Sequence, residues 1–103
     1  MRVIWLQRAE TALYQTEERI QNEFGTKASA RFMKEVEEVA YLLEKMPELG
    51  HYEPLLANYV QGYRSIVINK LTKLIYYIKG NELLISALWD TRREPNSLAK
   101  DIK

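Results

Sequence analysis

The chain contains no cysteine, which excludes disulfides, thiolate-held metals and a cysteine nucleophile. Histidine is nearly absent too: His51 is the only one, and no His/Asp/Glu set has metal-ligand spacing, so neither a metal nor any other cofactor is expected. Long apolar runs are missing. Near the start the run is only Val3 to Leu6, too short for a signal peptide or a membrane span, and a cytoplasmic protein without a membrane partner is expected. There is no internal repeat and no low-complexity tract. With 103 residues, 47% of them hydrophobic, the whole chain 1–103 reads as one domain of two packed layers.

The net charge of +1 hides an asymmetry. Residues 1–56 carry 7 Lys/Arg against 10 Asp/Glu, and residues 57–103 carry 8 against 4. The second half can offer a basic surface to a polyanion or an acidic segment, though the excess is well short of a dedicated nucleic-acid binder. An ordinary solvated surface is the alternative.

The hydrophobic period changes along the chain. Val3-Ile4-Trp5-Leu6 has the β-branched and aromatic character of a first strand. From about Arg8, apolar Ala9, Leu13, Ile20 and Phe24 recur at helical spacing until Gly25, a well-placed stop. Thr26 is in position to cap a second helix, whose stripe runs through Ala28, Phe32, Val36, Val39, Ala40, Leu43 and Met46. Pro47 and Gly50 end it. The two helices form an antiparallel hairpin with a one- or two-residue joint.

Residues 51–62 are the least regular and read as a loop. Three strands follow: Tyr63 to Ile68, Leu71 to Lys79 after an Asn69-Lys70 turn, and Glu82 to Trp89 after a Gly80-Asn81 turn. The tail DTRREPNSLAKDIK is polar, and Pro95 stops further pairing. The order β-α-α-β-β-β predicts an α+β fold, a helical hairpin on a mostly antiparallel sheet. Apolar residues on both faces of the middle strand suggest that it is covered on both sides, or on one side plus a partner.

The ordered set of strings WLQRAETAL, KMPELG and YRSIVINKLTKLIYYIKGNELLISALWDTRREP resembles the RelE/ParE toxin superfamily along nearly the whole chain, and its ParE-like branch most. The resemblance implies a microbial-RNase-like α+β fold and the toxin of a type II toxin–antitoxin system, a growth inhibitor of the plasmid-stabilisation type. It also implies a cognate antitoxin lying over the toxin as helix and extended segments. Tyr14, Tyr41, Leu56, Tyr59 and Tyr63 exceed what such a small core easily buries, and they form the expected antitoxin surface. Half-buried tyrosines at the core edge are the alternative. A homodimer through exposed apolar surface is left open.

The superfamily has two kinds of target. RelE-type members cut messenger RNA on the ribosome; ParE-type members poison DNA gyrase by binding. A nuclease must activate a ribose hydroxyl, stabilise a phosphorane and protonate the leaving oxygen, which RelE-like enzymes do with lysines, arginines and a C-terminal tyrosine. Carried over by position, Lys73 falls where the family places a strand arginine, and Arg93 where it places a second. These two are the only catalytic candidates. Arg64 could add a third cation.

The terminal tyrosine is missing, because EPNSLAKDIK follows Arg93, and residues 51–62 contain no Lys or Arg. His51 has no evident carboxylate partner and reads as a surface residue. The ParE-like reading needs only a shaped contact surface, expected at Arg92 and Arg93 with Arg64 and Lys73 as neighbours. Asp90 and Glu94 flank the two arginines, either orienting them or forming weak surface pairs. Trp89 is expected to close the core at a strand end and to fix the arginines that follow. A RelE-like ribonuclease and a non-toxic binding module of the same fold are the alternative functions.

Overall fold

The computed structural model describes residues 1–93 and 97–102. Strand β1 (Arg2–Trp5) leads into helix α1 (Gln7–Phe24) and helix α2 (Thr26–Lys45), followed by a two-residue strand β2 (His51–Tyr52). A 3-10 turn (Pro54–Leu56) leads to β3 (Arg64–Asn69), β4 (Thr72–Lys79), β5 (Glu82–Asp90) and a short terminal helix α3 (Leu98–Ile102). The sheet order is β1-β5-β4-β3-β2. Only β1 runs parallel to its neighbour, β5, because the helical hairpin carries the chain back across the sheet. The expected α+β arrangement is observed.

Gly25 joins the helices alone. Its φ of 94° lets the chain reverse within one residue. Its N–H donates to the Gln21 carbonyl at 2.9 Å, and its own carbonyl accepts from the Ser29 N–H at 3.2 Å. Thr26 is therefore the first helical residue and makes no side-chain cap, contrary to the sequence expectation. A one-residue joint leaves no separate cap position for it.

Alternation along β4 builds two cores. Leu74 and Tyr76 face the helices with Ala9, Leu13, Phe32, Val36, Leu43, Leu83, Ile85 and Leu88. Ile75 faces the other way, with Leu56, Tyr63, Ala87, Trp89, Leu98 and Ile102. The doubly apolar strand is thus covered on both sides from within the chain. Two sequence expectations change here. The 51–62 stretch is not all loop: His51 and Tyr52 pair with Ser65 and Arg64 at the sheet edge. The tail is not wholly polar either, since Leu98 and Ile102 lie four apart on one helical face and are buried under the sheet.

Strand β5 carries one extra residue against β4: Ile75 pairs with Ala87 and Tyr76 with Ile85, leaving Ser86 as a bulge. The Ser86 hydroxyl is buried with no hydrogen-bond partner among the described residues. Such a group costs desolvation without compensation. Ser86→Ala is therefore expected to raise stability by about 1 kcal/mol in urea denaturation. A clear loss of stability would mean that the hydroxyl is satisfied in solution.

Candidate functional site

The expected site residues divide between the two faces of the sheet, Arg64 and Arg92 on the helix side and Lys73 and Arg93 beside Trp89 on the other. Arg64 pairs with Tyr76 across β3 and β4, on the helix-side face. Its Nη1 donates to the Gly50 carbonyl at 2.7 Å and to the Glu48 carbonyl at 3.3 Å. Its guanidinium rests 4.1 Å from the centre of the Tyr52 ring. Those contacts fasten the segment that leaves α2 to the sheet edge, so this cation has a structural task.

Lys73 lies on the opposite face, where strand alternation puts it with Ile75 and beside its β5 partner Trp89. Its Nζ donates to Oε1 of Glu53, which is only 3% exposed. The second Glu53 oxygen accepts the Leu55 N–H at 3.0 Å. Burial pushes the Glu53 carboxyl up. The Lys73 hydrogen bond, the Leu55 amide, the Lys73 charge and a Ser65 hydrogen bond more than offset that, and its pKa lies below the ordinary value. The pair is inward-facing, and Lys73 spends its charge on Glu53.

At the end of β5, Arg92 and Arg93 take different partners. Arg92 makes a fork with Asp90, Nε to Oδ1 at 3.1 Å and Nη2 to Oδ2 at 2.9 Å, while its backbone N–H donates to Oδ1 at 2.9 Å. The Arg92 hydrogen bond holds the Asp90 carboxyl below its usual range, and Asp90 pushes the guanidinium up. Arg93 is exposed and stacks 4.5 Å over the indole of Trp89, itself 2% exposed. Trp89 belongs to the second core, whereas Asp90, the next residue, points to the helix side. The arginines are thus held on the two faces of one strand end. Glu94, expected beside them, lies outside the described residues.

The tyrosine set divides. Tyr14 and Tyr41 are exposed on the helices, and the Lys45 ammonium lies 4.9 Å from the Tyr41 ring centre. Leu56 and Tyr63, expected to be exposed, are buried in the second core. The 3-10 turn tucks Leu56 beneath the sheet, and Tyr63 packs edge-on against Tyr77 with ring centres 5.3 Å apart. Tyr59 is half-buried against Tyr63. His51 is exposed on the edge strand β2.

Sequence reasoning missed Glu53. It is the only acidic residue of 51–62, and its partner lies 20 residues away. It also missed the exposure of Phe24, Val60 and Leu71.

A small mixed sheet with a helical hairpin on one face is an architecture that solved structures share. A chain of the "Chromosomal ParDE TA system from P. aeruginosa" is similar in fold, with TM-score 0.72 and 15% identity over 87% of this chain and 95% of that one. The "YoeB/ParE toxin from Agrobacterium tumefaciens" aligns with TM-score 0.58 and 18% identity over 87% of this chain and 98% of that one. Residues 3–95 match the family described as ParE toxin of type II toxin-antitoxin system, parDE. The chain belongs to the ParE toxin family of type II toxin–antitoxin systems. No curated protein matches it in sequence.

Proposed function

We propose that this ParE-family toxin arrests bacterial growth by binding DNA gyrase, without cutting RNA, and that a cognate antitoxin neutralises it in the cytoplasm. The observation that carries the reading is the split of its cations between the two faces of the sheet, with the Lys73 charge engaged by Glu53. Arg64 fastens the sheet edge, Lys73 is bonded to a buried carboxylate, and Arg92 and Arg93 sit on opposite faces of a strand end. Phosphorane stabilisation needs positive groups converging on one point. A binding surface does not, and Arg92 and Arg93 are its contacts, each preset by a neighbour. Arg64 and Lys73 support that surface through the fold.

The antitoxin contacts the helical hairpin, where Tyr14, Tyr41, Leu42 and Met46 leave apolar surface exposed. Leu56 and Tyr63 pack in the second core on the opposite face of the sheet, with Tyr59 against it.

Expression of the chain in a bacterial host, with readouts of plasmid supercoiling and of messenger integrity, tests this. Growth arrest with loss of negative supercoiling and intact messenger RNA is expected. Arrest with normal supercoiling and ribosome-dependent cuts would establish the nuclease instead, and confirmed expression without arrest would favour a binding module. Arg93→Ala is expected to weaken the arrest at equal expression and unchanged Tm; full toxicity in that variant removes Arg93 from the site.

A further inference from the structure

The two arginines after β5 owe their postures to different parts of the chain. Arg92 is held locally, because its fork to Asp90, two residues back, needs only the strand end. Arg93 leans over the Trp89 ring at 4.5 Å, so its seat is as fixed as the indole beneath it.

Trp89 points away from the helical hairpin, into the second core. That core gathers Leu56 from the 3-10 turn, Tyr63, and Leu98 and Ile102 from α3 over Ile75 and Ala87 of the sheet. Helix α3 packs on both β5 and the 3-10 turn.

With five residues, α3 is too short to stay helical unless it is docked. Its apolar anchors are Leu98 and Ile102, four apart on one face and 0% and 5% exposed. Without them the helix has little to hold it, and the core around Trp89 loses a wall. An exposed arginine on a loosened ring then samples many rotamers.

We propose that Leu98 and Ile102 are positioning residues for Arg93: by docking α3 they hold the Trp89 indole, and the indole presents the guanidinium. Arg92 does not depend on them. The functional half rests on the gyrase reading, in which Arg93 is a contact. A side chain ordered before binding loses less freedom on binding, so detaching α3 costs toxicity through Arg93.

The test is NMR of the ¹⁵N-labelled full chain, reading the arginine Nε–H signals in the parent and in Leu98→Ala/Ile102→Ala. In the double variant the α3 amides are expected to lose protection. The Arg93 signal should move from its ring-shifted position to that of a solvated arginine, with a lower heteronuclear NOE. The Arg92 signal, bonded to Asp90, should stay in place. Should the pair unfold the sheet, Ile102→Ala alone is expected to give the same change in part, and Ile102→Val to restore the parent signal.

An unmoved Arg93 signal, α3 amides that stay protected, or both arginine signals collapsing together would overturn the proposal. In growth arrest, the double variant should fall to the level of Arg93→Ala, and combining all three substitutions should lose no more. An additive loss would also overturn the positioning role. Full toxicity of Arg93→Ala alone would overturn the gyrase contact and the functional half with it, while the NMR signals judge the positioning by themselves.

Discussion

Replacing Gly50 with alanine is expected to destabilise the protein by about 2–4 kcal/mol, lowering Tm by roughly 10–25 °C. A Cβ at this position would stand 2.7 Å from the Ser65 carbonyl oxygen, 2.8 Å from the Tyr76 hydroxyl and 2.9 Å from the ring carbon beside it. Neither neighbour can yield. The Ser65 carbonyl is strand backbone, and Tyr76 is fully buried against the helices.

The same hydroxyl accepts the Gly50 N–H at 2.8 Å and donates to the Pro47 carbonyl at 2.8 Å, so a shift of Gly50 breaks the joint that ties the end of α2 to β4. The Gly50 carbonyl, in turn, accepts from Arg64. Steric overlap and loss of one or two buried hydrogen bonds therefore act together. Thermal melts and urea midpoints measure the effect. A Tm within about 2 °C of the parent would show that the segment relaxes away from the strand and that the joint is not rigid.

That joint marks the boundary of what the sequence discloses. Gly50 reads as a helix stop, but α2 already ends at Lys45, and Met46 departs from helical geometry. Its closer constraint comes from Tyr76, 26 residues further on, and no local pattern announces a contact of that range. The hairpin, β3, β4 and β5 are legible because each obeys a single period, 3.6 or 2, over many residues. Strand β2 has two residues and no period to detect. Helix α3 is legible only in retrospect, since Leu98 and Ile102 stand among polar residues.

The tyrosines fail for a related reason. Composition predicts an apolar surplus but not its location, and a second core on the far face of the sheet absorbs Tyr63 and Leu56. Of the cations, positions in the chain order were legible while their partners were not. Arg92 with Asp90 is a local pair two residues apart, foreseeable as flanking charge. Lys73 with Glu53 depends on the β3 crossing and is tertiary.

Lys73→Met is expected to cost about 3–5 kcal/mol near pH 7, with a deficit that depends on pH in a diagnostic direction. In the parent protein the Glu53 carboxyl lies below its ordinary value of 4.5. Its ionised form therefore contributes stability that is fully present above that value and is lost as pH falls through the folded-state pKa. Without Lys73, burial remains while the largest opposing hydrogen bond and the neighbouring charge are gone. The carboxyl then moves up, and where its folded value exceeds the unfolded one the sign reverses. Stability is present at low pH and lost as pH rises.

The gap between parent and variant should accordingly narrow as pH is lowered from 7 toward 4, read from urea midpoints at each pH. A gap constant across that range would mean that the methionine loses packing alone and that Glu53 keeps its charge by other means. The outcome bears on function as well. A lysine whose removal is felt chiefly through Glu53 is held by the fold, and its ammonium has no spare charge to direct at a phosphate.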